Sequence, residues 1–144
     1  IRRGRFVLPG ACDQPRSLLN AASAAEGFVL ALEQSAPGET YLLTDDDDRS
    51  MRVLATTIVE ALAAAGAPAP LREVPAALVW PAAAIGTALS SLGLRVPVTL
   101  SALRKLTTRL TFSCEKAKRE LGWAPVVSFE DGVRSAVKTL VAGD

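Results

Sequence analysis

The polar and apolar residues from Ser113 to Gly132 follow a pattern that predicts a short helix and a sharp turn. Ser113 is placed to accept a hydrogen bond from the backbone N–H groups of the first helical turn. Gly122 stands where a left-handed residue commonly ends a helix, and Pro125 prevents the helix from continuing. The pattern therefore predicts a helix that ends at Leu121.

A second helix is predicted directly after this turn. Ser128 and Asp131 have the spacing of an N-terminal capping pair. Acidic residues open the helix and Lys138 lies near its end, as the helix dipole favours. The apolar residues that share one face of this predicted helix are Phe129, Val133, Ala136, Val137, Leu140 and Val141.

The N-terminal third predicts two strands followed by a helix. Arg5–Leu8 is a short apolar run ended by Pro-Gly, and Arg16–Leu19 is a second run after a proline turn. Ser23 and Glu26 form a capping-box pattern, which predicts a helix from Ser23 to Glu33. Its predicted buried face contains Ala25, Phe28, Val29 and Leu32.

A buried strand and a longer helix follow. Glu39–Leu43 is an apolar and aromatic run after a Pro-Gly turn, which is typical of a strand. Four consecutive aspartates, Asp45–Asp48, then lead through Ser50 into a helix that should end at Gly66. Its predicted buried face contains Leu54, Ile58, Ala61, Leu62 and Ala65.

The segment from Val74 to Leu94 contains no charged residue. A short strand is predicted before it, at Leu71–Val74. The segment is long enough to span a membrane, but prolines, glycines and serines interrupt it, which favours helices buried in a small cap domain. Membrane association is the alternative. Thr99 or Ser101 is then expected to cap a short helix that runs through Leu106.

Composition narrows the range of functions. The 144 residues contain 49% hydrophobic and 22% charged side chains, which is ordinary for one globular domain with a sizeable core. The net charge is +1, and the charges are interspersed apart from the N-terminal arginines (Arg2, Arg3 and Arg5) and Asp45–Asp48. This distribution argues against a nucleic-acid partner.

Histidine is absent and the two cysteines, Cys12 and Cys114, have no metal or redox spacing. The lack of histidine removes the commonest metal ligand and general base. Cys114 at a helix start has no base partner, so a structural role is the preferred interpretation. A reducing cytoplasmic compartment fits this usage best.

The four aspartates admit two interpretations. Consecutive carboxylates at a helix start are favoured by the helix dipole. A metal site is the alternative, although calcium-binding loops place their ligands at alternate positions with a glycine between them. We therefore prefer the structural interpretation of Asp45–Asp48 and expect no metal.

The C-terminal residues also carry a family resemblance. A Lys-Ala pair, then Glu-Leu-Gly-Trp, a proline and Ser-Phe-Glu-Asp-Gly resembles the C-terminal end of extended short-chain dehydrogenases/reductases, which include nucleotide-sugar epimerases, dehydratases and 3β-hydroxysteroid-type dehydrogenases. Ile1–Leu32 and Gly38–Thr44 are similar to earlier segments of that family, in the right order. In the family the cap position near Ser23 is usually aspartate, so a contact of that aspartate is in doubt here.

The resemblance implies an α/β fold, the C-terminal part of a Rossmann-type enzyme with a mainly helical cap, incomplete without upstream strands. Residues 1–44 would complete the dinucleotide-binding sheet and the cap strands, and residues 45–144 would form the substrate-binding cap. An upstream dinucleotide-binding segment and a small-molecule substrate are the implied partners, and a homo-oligomer is possible.

Two motifs of that family are missing from the sequence. It contains no Gly-x-x-Gly-x-x-Gly turn for the pyrophosphate of a dinucleotide. Tyr41, the single tyrosine, is not followed by the lysine of a Tyr-x-x-x-Lys pair. We therefore expect neither catalytic nor cofactor-binding residues in this chain, and NAD or NADP to be bound in the full-length enzyme and not by this chain alone.

The resemblance also suggests substrate contacts. Arg16 matches an arginine that contacts the substrate diphosphate in sugar-nucleotide members, and guanidinium suits phosphate well, although a surface role is an equal alternative. The second phosphate-binding arginine of the family would be Arg109 or Arg104. In the apolar segment, Leu78, Val79 and Trp80 are expected to line the substrate cleft.

These features favour the substrate-binding half of an NAD(P)-dependent oxidoreductase or epimerase that acts on a small apolar alcohol or ketone, such as a steroid. A nucleotide-sugar epimerase or dehydratase is the first alternative. A non-catalytic binding module that kept the cap and lost the nucleotide site is the second.

Overall fold

The structure is a computed structural model that describes residues 7–10, 12–94, 96 and 99–142. Its elements follow in the order β1 (Val7–Pro9), β2 (Pro15–Arg16), α1 (Ala21–Gln34), β3 (Arg49–Ser50), α2 (Met51–Ala64), β4 (Arg72–Val74), α3 (Ala76–Ser91), α4 (Leu100–Thr107), α5 (Glu115–Leu121) and α6 (Phe129–Ala142). They belong to two compact units that interleave along the sequence. The first unit contains residues 1–14 and 50–109, and the second contains residues 15–49 and 110–144.

The first unit is built on a parallel pair of strands. β1 pairs with β4 in a register that places Leu8 opposite Glu73, and the N–H of Gly10 extends the pairing by donating to the carbonyl oxygen of Val74 at 2.9 Å. Both predicted strands are thus present, although Arg5 and Phe6 lie outside the described residues. Leu8 is fully buried and forms a small core with Cys12 and Ala55.

The helices of the first unit begin at the caps that the sequence predicts. The hydroxyl of Ser50 accepts a hydrogen bond from Val53 N at 3.2 Å, and α2 ends before Gly66. Thr99, rather than Ser101, caps α4 by accepting from Ala102 N at 3.3 Å. The predicted buried face of α2 is partly correct, since Ala61 and Leu62 are buried while the other predicted positions are half-buried.

The charge-free segment forms one helix, α3, which continues through Pro81. It packs against α4, where Thr87 Oγ1 accepts a hydrogen bond from Leu100 N at 2.9 Å. The prediction of several buried helices is wrong, because only part of α3 is covered and many of its large apolar side chains are exposed. Across the described ranges, no helix has the length and apolar character needed to cross a membrane.

The start of α1 differs from the prediction. Asn20 is the N-cap, and its side-chain oxygen accepts from Ala22 N at 2.9 Å. Ser23 lies inside the first turn, fully buried, and its hydroxyl has no hydrogen-bond partner among the described residues. The capping-box prediction at Ser23 is wrong because the helix already begins at Ala21, with Asn20 as its N-cap.

The buried face of α1 also differs from the prediction. Ser23 and Gly27 are its buried residues, whereas Phe28 and Leu32 are 68% and 87% exposed. A Cβ atom at Gly27 would collide with the side chain of Leu43 and lie 3.0 Å from the Trp123 ring. The missing side chain of glycine therefore selects which face of α1 packs on the core.

Two predicted strands of the second unit are shorter than expected or absent. The second predicted strand is reduced to β2, because the N–H of Ser17 donates to the carbonyl of Leu110 and the chain then turns towards α1. Residues 39–43 are not in a strand, since the described residues offer them no pairing partner. Lys116 instead contacts the carbonyl oxygen of Thr40 at 3.2 Å.

The C-terminal helices agree closely with the prediction. α5 ends at Leu121, and Gly122 has a φ of 64°. Ser113 Oγ accepts from Glu115 N at 3.3 Å, although Cys114 occupies the N-cap position. The α6 cap is confirmed, since Ser128 Oγ accepts from Asp131 N at 3.1 Å.

The predicted buried face of α6 is only partly correct. Phe129 and Val137 are buried, whereas Ala136 and Leu140 are exposed. The core of the second unit instead centres on four buried residues of α5 and its ends, against which residues of α1 and of the segment after it pack. The four are Cys114, Ala117, Leu121 and Trp123.

Candidate functional site

The three apolar residues predicted to line a substrate cleft lie near the start of α3. Successive residues of a helix point about 100° apart, so they do not share one face. Leu78 and Trp80 are exposed, and Val79 is half-buried. Leu78 and Trp80 are therefore the two of the three that are open to a ligand.

Further along α3 lies a row of exposed apolar side chains. Ile85, Leu89 and Leu92 follow at spacings of four and three residues, which places them on one side of the helix. The structure leaves all three exposed.

The predicted arginines fall in both units. Arg109 is exposed and follows α4 in the first unit, where Arg104 is also exposed. Arg16 is half-buried in β2 of the second unit, and its backbone forms a parallel bridge with Leu110. The backbone around Arg16 is thus held against the segment that leads into α5, because Leu110 bonds to the backbone of both Pro15 and Ser17.

The four consecutive aspartates of the second unit bind four different partners. Asp45 accepts from the N–H of Asn20, Asp46 from Lys118, Asp47 from Arg49, and Asp48 from the hydroxyl of Ser17. The described part of the chain contains no group of three or more metal-ligating side chains. The segment thus ties several parts of this unit together through separate polar contacts.

Two of these aspartates have shifted pKa values in opposite directions. The hydrogen bond from Lys118, with a smaller contribution from the Cys114 thiol, lowers the pKa of Asp46. The same contact raises the pKa of Lys118. Burial raises the pKa of Asp45 despite its hydrogen bond from Asn20. The charged form is thus favoured at Asp46 and disfavoured at Asp45.

Tyr41 lies beside a lysine, but the arrangement is not that of an acid–base pair. Lys116 Nζ lies 4.7 Å from the centre of the Tyr41 ring, over its face, and is also paired with Glu39. Burial and a hydrogen bond to Glu120 raise the pKa of Tyr41. A tyrosine that acts as a base near neutral pH needs the opposite shift, so this pair is structural.

The glycines of the chain do not fit a dinucleotide. A pyrophosphate site needs closely spaced glycines between a strand and a helix. The described glycines with positive φ are widely separated in sequence, and each follows a helix or lies in a turn: Gly38, Gly66, Gly93 and Gly122. The described glycines thus do not have the spacing of that motif.

Arg52 forms a contact network that sequence reasoning missed. From the first turn of α2, its guanidinium binds the carboxylates of Asp13 and Glu73 and lies 3.3 Å from the carbonyl oxygen of Gly10. These hydrogen bonds raise its pKa. The network joins the loop after β1 to β4, and no local sequence pattern marks it because its partners lie at least 21 residues away.

Three curated proteins are similar to most of this chain. It is 31% identical over 136 residues to a 4-hydroxy-2-methyl-3-oxo-4-farnesyl-3,4-dihydroquinoline-1-oxide ketoreductase from Stigmatella aurantiaca, a match that covers 92% of the chain and 40% of that protein. It is 31% identical to 3beta-hydroxysteroid-dehydrogenase/decarboxylase isoform 1 of Arabidopsis thaliana, covering 81% of the chain and 26% of that protein. It is also 31% identical to a 2-alkyl-3-oxoalkanoate reductase of Stenotrophomonas maltophilia. This match covers 92% of the chain and 42% of that protein.

Solved structures contain the same fold. The protein gox2253 matches 99% of the chain with a TM-score of 0.69 and 25% identity. The enzyme RMD from Pseudomonas aeruginosa, solved with NADPH, matches 99% of it with a TM-score of 0.63 and 13% identity. The chain covers 41% and 39% of these two proteins. No family model matches the sequence.

Proposed function

We infer that this chain, which corresponds in sequence and fold to the C-terminal part of extended short-chain dehydrogenases/reductases, forms the substrate-binding part of an NAD(P)-dependent oxidoreductase. The resemblance predicted from Ser113–Gly132 is confirmed by the three relatives, and the α/β fold by the structural matches. The chain spans about 40% of the first relative's length, so the activity of the whole enzyme is part of this proposal.

The division of labour follows from what the chain contains. Its sequence has no closely spaced glycines for a pyrophosphate, and burial raises the pKa of Tyr41. In this proposal the dinucleotide site and the acid–base pair come from a preceding segment of the full-length enzyme. NAD or NADP would supply the hydride, while this chain binds the substrate.

Exposed apolar surface on the second unit supports such a segment. Phe28 and Leu32 are exposed on α1, and residues 39–43 have no strand partner in the part of the chain that the structure describes. A segment without such a partner presents unpaired backbone groups. Strands from the preceding segment would pair with it and cover this face of α1. We expect the chain alone to self-associate, and a monomeric chain in sedimentation velocity would contradict this.

The substrate that we propose is an apolar ketone or alcohol. The main support is that the names of all three relatives describe substrates with farnesyl, steroid or alkyl groups. On this chain, Leu78 and Trp80 offer exposed apolar surface within a stretch that contains no charge. Substrate binding would remove that surface from water, and burying apolar surface contributes a favourable free energy of about 25 cal/mol per Å².

The alternative substrate is a nucleotide sugar. The solved structures of similar fold include a UDP-glucose 4-epimerase from Thermotoga maritima that holds UDP-glucose. Its identity of 17% supports the fold alone. Arg16 carries the chemistry that a diphosphate needs, because a guanidinium is permanently charged and binds two oxygens at once. The two substrates thus predict different roles for Arg16.

Turnover in the full-length enzyme tests the choice of substrate. With an apolar ketone, Arg16→Ala should leave kcat/KM within a few-fold of the parent, while Leu78→Ala with Trp80→Ala should raise KM. Arg134→Ala is the matched control, because Arg134 is exposed and pairs with Asp131 one helical turn away. A loss of about a hundredfold for Arg16→Ala alone, about 2.7 kcal/mol, would favour the nucleotide sugar.

Calorimetry tests the division of labour and the remaining alternative, a binding module without catalysis. Titration of the chain alone with NADH or NADPH should give no measurable heat of binding. Micromolar binding would overturn the proposal that the dinucleotide site lies elsewhere. A full-length protein that binds neither dinucleotide would instead support the non-catalytic module.

A further inference from the structure

The indole N–H of Trp80 has no hydrogen-bond acceptor among the described residues. The indole N–H of Trp123, the other tryptophan, is used inside the fold, where it donates to the carbonyl oxygen of Thr44. Trp80 is partly exposed, and an indole N–H that is taken out of water usually finds an acceptor. Trp80 can therefore bind a ligand through a hydrogen bond as well as through its ring.

Pro81 leaves a backbone acceptor free in the same part of α3. Pro81 lies inside the helix, and proline has no N–H. In an α-helix the N–H of each residue donates to the carbonyl oxygen four residues earlier, so the carbonyl of Ala77 lacks this donor. Ala77 and Pro81 are both exposed, so another molecule can supply the missing donor.

The donor and the acceptor lie on one side of α3. Because successive residues turn by about 100°, Ala77 and Pro81 lie on the side away from the buried Ala83. Leu78 and Trp80 are at the two edges of that side. Helix side chains lean towards the N-terminus and helix carbonyl groups point towards the C-terminus, so the side chain of Trp80 and the carbonyl of Ala77 should converge.

We propose that Trp80 and Ala77 form a subsite for a hydroxyl group of the substrate, in addition to the group that reacts. This inference rests on the proposed function, in which Leu78 and Trp80 contact an apolar ketone or alcohol. A hydroxyl fits this pair of groups, because its oxygen accepts from the indole N–H while its hydrogen is donated to the carbonyl oxygen. The reacting oxygen meets the acid–base pair of the preceding segment, so the hydroxyl bound here is a second one.

The subsite would determine specificity. A substrate without the hydroxyl would cover the indole N–H and the carbonyl of Ala77 without replacing the hydrogen bonds that these groups make to water. Polar groups left buried and unpaired are unfavourable, so a site of this kind rejects an analogue that lacks the matching group. Leu78 cannot make this distinction, because it contacts the apolar body that both molecules share.

Turnover of two matched ketones by the full-length enzyme tests the subsite. One is a ketosteroid with a hydroxyl group at the end far from the ketone, and the other is the same ketosteroid without that hydroxyl. The parent should have a kcat/KM at least about tenfold higher for the hydroxylated ketone. Trp80→Phe keeps an aromatic ring without the N–H, and it should lower this preference about threefold to tenfold.

Pro81→Ala tests the acceptor. Alanine is compatible with the helix and its N–H restores the missing bond to the carbonyl of Ala77, so this variant should lower the preference by a similar factor. Pro75→Ala is the matched control, because Pro75 is the N-cap of α3 and its replacement restores no bond to Ala77. Leu78→Ala should raise KM for both ketones equally. A preference that survives in Trp80→Phe and Pro81→Ala, or an equal loss in Pro75→Ala, would overturn the subsite.

Nuclear magnetic resonance separates failure of the subsite from failure of the proposed function. The indole N–H signal of Trp80 is assigned by its loss in Trp80→Phe. It should shift when cyclohexanol is added to the full-length protein, and it should shift less in Pro81→Ala. Equal kcat/KM for the two ketones, or no shift of this signal, would overturn the subsite. A shift in a protein that reduces neither ketone would instead overturn the proposed activity.

Discussion

The indole N–H of Trp123 donates a hydrogen bond to the carbonyl oxygen of Thr44 at 3.2 Å, across 79 residues of sequence. Both residues are buried, and the contact joins the turn after α5 to the segment that carries the four aspartates. The backbone N–H of Trp123 is also fixed, since it donates to the carbonyl of Ala117 at 3.2 Å. Trp123 therefore connects the end of α5 to the rest of the second unit.

Replacing Trp123 with phenylalanine should lower the free energy of unfolding by about 1–3 kcal/mol, because the carbonyl oxygen of Thr44 would stay buried without its donor. Trp80→Phe is the matched control. Trp80 is partly exposed on α3 and should change stability by less than about 0.5 kcal/mol. Urea denaturation followed by circular dichroism measures both, and similar losses would contradict this role of Trp123.

The turn at Gly122 should be sensitive to any Cβ atom. Its φ of 64° is in the left-handed region, and a Cβ there would meet no neighbouring atom within 4 Å. The cost of Gly122→Ala is therefore conformational, about 1–2 kcal/mol. Gly122→Asn should cost less, because asparagine adopts this conformation more readily. Equal losses in thermal denaturation would indicate a steric cause instead.

Two serines with the same local pattern should respond in opposite directions to the same substitution. Ser128 caps α6 through Asp131 N, so Ser128→Ala should lower stability by about 1 kcal/mol. Ser23 is buried in α1 with no hydrogen-bond partner among the described residues. Ser23→Ala should raise stability by about 1 kcal/mol, since it removes an unsatisfied hydroxyl and favours the helix. If Ser23→Ala lowered stability instead, a water molecule or a further group would have to form a hydrogen bond with the Ser23 hydroxyl.

These two serines show which structural features can be predicted from local sequence patterns. Helix ends set by neighbouring residues were predictable, as at Gly122, Thr99 and Ser128. The pattern at Ser23 was equally good, but the helix begins two residues earlier with Asn20 as its cap, and Ser23 is buried inside the first turn. Periodicity located α1 without revealing which face is buried, because that depends on residues far away in sequence.

The distribution of charged residues in the fold was also not predictable from local sequence. Along the sequence they are largely interspersed, which suggested no charged surface. Because each unit is assembled from two separate segments, the fold collects most basic residues in one unit and most acidic residues in the other. The four partners of Asp45–Asp48 were likewise unpredictable, since Lys118 lies 72 residues from Asp46. The predicted substrate residues Arg16, Leu78, Val79, Trp80 and Arg109 remain predictions.

The opposite pKa shifts of Asp45 and Asp46 predict opposite effects on acid denaturation. The folded-state pKa of Asp46 is lowered, so its ionised form stabilises the fold above the unfolded-state pKa, and this stability is lost as pH falls through the folded-state pKa. The folded-state pKa of Asp45 is raised by burial. The stability that protonated Asp45 contributes is present below the unfolded-state pKa of about 3.9, and it is lost as pH rises through the folded-state pKa.

Urea midpoints measured between about pH 6 and pH 3 test this assignment, since this range spans the usual pKa of aspartate. Asp46→Asn should reduce the loss of stability on acidification, because the variant has no Lys118-paired carboxylate left to protonate. Asp45→Asn should make the loss steeper, because it removes a carboxyl group whose protonation favours the folded state. Both variants keep a side-chain oxygen that can accept a hydrogen bond, so the comparison isolates the charge. If both variants changed the pH dependence in the same direction, the assignment of these two shifts would be wrong.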